Sequence, residues 1–146
     1  MDIVIDKHLE YQELELFLRN KFPTLNFFLL YEGLNDWDDA AVEQSIFQYS
    51  ENTDLDQGLK YCLSIYVKIE PLLPLIENLA ADISRHFYCS TVCDASRVVL
   101  KERNVFYSLL FENGQVFLVD DYIYEETGQV TKIIELNYRR PAINFT

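Results

Sequence analysis

Asp36, Asp38 and Asp39 place three carboxylates within four residues, with Trp37 among them. Carboxylates at this spacing can hold a divalent cation that activates water for hydrolysis. That chemistry needs further ligands from other elements, often a histidine. His86 and Cys89 are the candidates to complete such a site. Clustered acids alone are weak support, because the chain carries 24 Asp and Glu against 12 Lys and Arg.

Other catalytic signatures fail on spacing. Asn52-x-Asp54-x-Asp56 suggests a calcium loop, but Gly58 falls one place late and Leu63 stands where the bidentate Glu belongs. A solvated hairpin loop is the better reading. The only glycines are at 33, 58, 114 and 128, so no nucleophile elbow, phosphate loop or dinucleotide fingerprint can form. His8 and His86 read as structural histidines. The cysteines are Cys62, Cys89 and Cys93. An odd count without a leader-like start argues for free thiols and a cytoplasmic setting. On one strand Cys89 and Cys93 would lie roughly 13 Å apart, too far for a disulfide. They read as small buried hydrophobes. No metal or other cofactor is expected.

The remaining signal is charge. No Lys or Arg occurs between Lys21 and Lys60, an interval holding Glu32, Asp36, Asp38, Asp39, Glu43, Glu51, Asp54 and Asp56. Residues 1–73 carry 14 acids and 5 bases, and residues 74–146 carry 10 and 7. The formal net charge is -12, which repels a phosphate backbone and excludes direct nucleic-acid binding. Crowded like charges contribute nothing to folding, so their use lies in solubility or in attracting a cationic partner. Tyr31, Trp37, Phe47 and Tyr49 interleave with the acids as candidate anchors. Trp37 either docks inward as a core plug, the favoured reading, or stands out as an anchor. A second cluster, Asp120-Asp121-Tyr122-Ile123-Tyr124-Glu125-Glu126, could extend the same surface.

The expected function is therefore that of an acidic protein-binding or inhibitory module. Small acidic proteins of this kind include the bacterial immunity proteins, which neutralise a basic toxin or nuclease; the likeness is of physical type only. The residues expected to meet the partner are Glu32, Asp36, Trp37, Asp38, Asp39, Glu43, Asp54, Asp56, Asp120 and Asp121. A mimic of nucleic-acid charge fits the same data. The alternatives are a metal-assisted hydrolase using Asp36 to Asp39, and a structural subunit or homodimer meeting through the apolar hairpin at 105–119.

The elements that position these residues follow from periodicity. Asp6 is expected to cap a first helix with Leu9, Leu14, Phe17 and Leu18 inward, ended by Phe22-Pro23. A buried strand is expected at 27–31 and a polar loop with a helical turn at 34–42. A hairpin should join 43–50 to 60–69. In its second strand Leu63, Ile65 and Val67 share one face, and Cys62, Ser64 and Tyr66 the other. Leu72, Leu75, Ile76, Leu79, Ala80 and Ile83 mark the strongest helix, with Glu77, Asp82 and Arg85 off its stripe. Strands follow at 87–93, 105–112, 115–119, 121–124 and 130–136, with Asn113-Gly114 as a hairpin turn. The basic tail at Arg139-Arg140 docks late or frays. No apolar run reaches the roughly 18 to 20 residues that cross a bilayer, so no membrane partner is expected. The class is α+β: one domain spanning 1–146, with two main helices packed on one side of a mostly antiparallel sheet.

Overall fold

The alternation Asp2-Ile3-Val4-Ile5 forms a strand that the sequence reading left unassigned. The computed structural model describes residues 1–67, 72–98 and 106–141. In it β1 (Asp2–Ile5) lies inside the sheet between two antiparallel neighbours. Ile3 and Ile5 are fully buried. Pairing on both edges stabilises so short a strand. Asp6 is not a helix cap; its carboxylate accepts a hydrogen bond from the Ser90 N–H at 2.8 Å. Helix α1 (Tyr11–Lys21) starts later, with Glu10 at its N-cap. Leu9 precedes the helix but is buried, and its N–H donates to the Tyr49 hydroxyl at 2.8 Å.

Leu14 and Leu18 form the buried stripe of α1, and Phe22 ends it ahead of Pro23. β2 (Phe27–Tyr31) pairs in parallel with β3 (Ser45–Glu51), Phe27 opposite Ser45. Parallel neighbours need a crossover of about a dozen residues, and 32–44 supplies it. β3 and β4 (Tyr61–Tyr66) make the expected hairpin; residues 68 and 69 of that expected strand lie outside the described residues. α2 (Leu72–Phe87) buries Leu75, Ile76, Leu79, Ala80 and Ile83, as its periodicity requires.

Because α2 continues to Phe87, the strand expected at 87–93 is confined to β5 (Thr91–Asp94), and Cys89 lies in the link before it. β6 (Tyr107–Glu112) and β7 (Gln115–Asp120) form the hairpin around Asn113-Gly114; residue 105 lies outside the described residues. No strand forms at 121–124: the chain turns there into the short α3 (Tyr124–Thr127) and then β8 (Thr131–Glu135). The sheet order is β2-β3-β4-β1-β5-β6-β7-β8, antiparallel everywhere except β2–β3. The fold is thus α+β with one mixed eight-stranded sheet. Leu14 and Leu18 of α1 and Leu75, Leu79 and Ile83 of α2 join one buried cluster with Ile3, Ile5, Phe47, Leu63 and Leu109. No helix among the described residues is long and apolar enough to cross a membrane.

Polar groups on α2 hold the stretch from Tyr138 to Pro141. Glu77, read from the sequence as lying off the stripe, is 1% exposed. It accepts two bonds from Arg97, at 2.6 and 2.8 Å, and one from the Tyr138 hydroxyl at 2.7 Å. The basic tail is docked: Arg140 donates to Asn78 Oδ1 at 2.7 Å and pairs with Asp82 at 2.6 Å, and Lys21 pairs with the same carboxylate.

Two carboxyls make stability depend on acid. Burial pushes Asp82 up, but hydrogen bonds from Lys21 and Arg140 outweigh it and hold the carboxyl below its ordinary value. Glu112 is also lowered, by bonds from Lys132 and Ser90. A carboxyl depressed in the fold stabilises it above the unfolded pKa of about 4 and loses that contribution as pH falls through the folded value. Urea midpoints should therefore drop below about pH 4, and Asp82→Asn should make that drop shallower. An equally steep drop in Asp82→Asn would remove Asp82 from this account.

Candidate binding face

Side chains alternate across each strand, so residues opposite one another in register share a face. Val4 stands opposite Cys62 and Val92, and Val92 opposite Leu110. This face is the reverse of the one carrying Ile3, Ile5, Leu63 and Leu109. Over β1 and β5 to β7 a second cluster covers it: Leu59, Val92, Leu110 and Val119, joined by Val4, Phe117, Tyr124 and Val130. The β6–β7 hairpin is therefore apolar on both sides because both sides are covered.

Between this cover and the crossover at 32–44, the reverse face stays partly open. Its floor is Gln48, Ser50, Cys62 and Ser64, all half-buried, with exposed Asp2. Ser50 lies opposite Cys62, Gln48 opposite Ser64, and Ser64 opposite Asp2. Cys62 Sγ is 3.6 Å from Ser64 Oγ.

Three segments frame this floor, and together they carry the acids named as partner contacts except Asp120, which stands opposite Tyr107 on the face of the main core. The first is the crossover with Glu32, Asp36, Asp38, Asp39 and Glu43, all exposed. Its single 3-10 turn (Trp37–Asp39) is closed by a capping box. Asp36 accepts from the Asp38 N–H at 3.0 Å, and Asp39 accepts from the Asp36 N–H at 2.9 Å. Trp37 does not dock inward. It is 54% exposed, and its ring lies 6.2 Å from Tyr66, itself 53% exposed, at a tilt of 58°. The indole lies with Tyr66 over the reverse face, while Phe22, Phe27 and Phe47 fill the core on the other side of the sheet.

The second segment is the 52–58 loop with exposed Asp54 and Asp56. Asn52 Oδ1 accepts from the Asp54 N–H at 3.1 Å, a local turn bond that fits the hairpin-loop reading. The third is 120–130, with Asp120 and Asp121 at its start. The second and third segments are joined. A Cβ on Gly58 would come within 2.3 Å of the Gly128 carbonyl oxygen, and one on Gly128 within 2.5 Å of the Gln57 oxygen. Both glycines have positive φ, so any other residue there would be strained as well as blocked. The Leu59 N–H donates to the Gly128 oxygen at 2.8 Å, and the Tyr124 hydroxyl donates to the Leu59 oxygen at 2.9 Å.

The electrostatics are one-sided. Six of the nine described bases pair with other acids: Arg19 with Glu15, Lys60 with Glu51, Arg97 with Glu77, Lys132 with Glu112, and Lys21 and Arg140 with Asp82. Among the described residues, neither Asp120 nor any of the eight framing acids is in a salt bridge. Asp121 accepts from the Ser108 hydroxyl at 2.6 Å, and Asp120 from the Tyr122 N–H at 2.8 Å. A cavity of about 280 Å³ opens beside the floor, lined by Asp2, Val4, Asp94, Ser108, Asp121 and Tyr124 among others, and no described Lys or Arg lines it.

The residues considered for hydrolysis do not gather. His86 packs on Phe17 and Phe87, at 5.0 and 4.7 Å between rings. Burial pushes the Cys89 thiol up to about 12 and raises Cys93 and Cys62 too, so none is an activated nucleophile. Among the described residues no three His, Cys, Asp or Glu side chains are placed to hold a metal. Sequence reasoning missed Asp2, because β1 was unassigned, and the role of Tyr66, whose face was legible but whose contact with Trp37 was not. No family model, no curated protein and no solved structure matches this chain significantly.

Proposed function

We propose that this chain is an acidic binding protein that neutralises a basic partner protein, as an immunity-type protein does for a toxin or nuclease. One observation carries the reading: eight carboxylates lie on the segments around a single sheet face, and none has a Lys or Arg partner among the described residues. Such crowding opposes folding through repulsion. A cationic partner relieves that repulsion and is steered onto the face by it. Trp37 and Tyr66 supply exposed aromatic area for anchoring. In this reading the two main helices back one side of the sheet and leave the other for the partner. The encounter takes place in the cytoplasm, where the free thiols stay reduced.

The test is capture from a lysate of the source organism on the immobilised chain at low salt, with elution by a salt gradient. The expected result is a stoichiometric protein of basic pI, roughly above 9, whose own activity is lost in the complex. A retained protein that is neutral or acidic, or a basic one that stays fully active when bound, would overturn the reading.

A further inference from the structure

We infer that the open strip between the three acidic segments receives an extended, arginine-bearing segment of the basic partner. This rests on the reading above and adds where the partner's chain lies and which side chains it brings.

Width decides the shape of the occupant. The floor spans β3, β4 and β1, which is two strand spacings, or roughly 10 Å. A helix with its side chains is about 10–12 Å across, and the covering segments already take part of the margins. One extended chain fits; a helix does not lie down. The floor residues Ser50, Cys62 and Ser64 are short, so a backbone can approach the sheet there.

Chemistry decides the side chains. At one margin Trp37, in the turn that carries Asp36, Asp38 and Asp39, forms a tilted aromatic pair with Tyr66 at the end of β4. At the other, Tyr124 lines the 280 Å³ cavity together with Asp2 and Asp121. Each margin pairs a ring with carboxylates. A guanidinium uses both at once: its plane stacks on an aromatic ring while its fork meets a carboxylate. An ammonium is a compact, strongly hydrated point charge and uses the ring less well.

The experiment is an amide-resolved NMR titration of the full chain with a nona-arginine peptide, repeated with nona-lysine, at low salt. Shifts at Gln48, Ser50, Cys62 and Ser64 together with Asp36 to Asp39 are expected. Nona-arginine should bind severalfold more tightly than nona-lysine, and Ser64→Trp, which fills the floor, should weaken nona-arginine about tenfold. Shifts confined to the acidic segments, with the floor unmoved, would overturn the strip and leave the acidic-face reading standing. Equal affinity for the two peptides would overturn the choice of arginine. No shift with either peptide would overturn the strip and the reading together. If Ser64→Trp does not fold, the wild-type titration alone decides.

Discussion

Arg97→Ala is expected to lower the unfolding free energy by about 3 to 5 kcal/mol, the cost of leaving a buried charge without its partner. Glu77 is 1% exposed and takes both of its ionic bonds from Arg97. Without the guanidinium, only the Tyr138 hydroxyl remains to satisfy that carboxylate. The effect should far exceed that of the surface pair Glu15–Arg19, whose arginine is exposed, because surface pairs contribute only about 0 to 1 kcal/mol. Glu77→Leu combined with Arg97→Leu should recover most of the loss, since replacing a whole buried pair by apolar groups is often neutral. Denaturant unfolding measures all three. A loss below about 1 kcal/mol for Arg97→Ala, the level of a surface pair, would mean that the carboxylate is reached by water.

The second large effect is kinetic. Asp36→Lys with Asp38→Lys reverses two charges in the crossover turn without touching the core. It should slow association with the captured basic partner by about tenfold or more, since steering of this kind raises on-rates by 10 to 10³. The dissociation rate should change less, because rim charges act mainly on encounter. Stopped-flow mixing at low ionic strength measures both rates. Stability should change little, because two like charges leave a repelling set while the turn loses the cap that the Asp36 carboxylate provides.

Much of the fold is written in local patterns. The α2 stripe, the β3–β4 hairpin and the Asn113-Gly114 turn follow from periodicity and turn chemistry. The two faces of β4 were also readable, including Cys62, Ser64 and Tyr66 on what proves to be the open side. β1 was not, because four residues are too few for periodicity and Asp6 imitates a helix cap. Glu77 was misread because a charged residue off an apolar stripe usually faces water. Its partner Arg97 is distant in sequence, so nothing local marks the pair. The acids themselves were plain in composition. Their meeting depends on the Gly58–Gly128 contact and on the parallel crossover, both set by long-range pairing. Trp37 among carboxylates allowed either outcome, and only the neighbouring Tyr66 and an already filled core distinguish them.

The most direct test measures the association rate of the captured partner against ionic strength, for the wild-type chain and for Asp36→Lys/Asp38→Lys. If the unpaired carboxylates exist to meet a positive surface, the wild-type rate falls steeply as salt rises, the reversed chain starts lower and falls less, and the two curves converge at high salt. Parallel curves, or a wild-type rate indifferent to salt, would contradict the claim that this face was built for a cation.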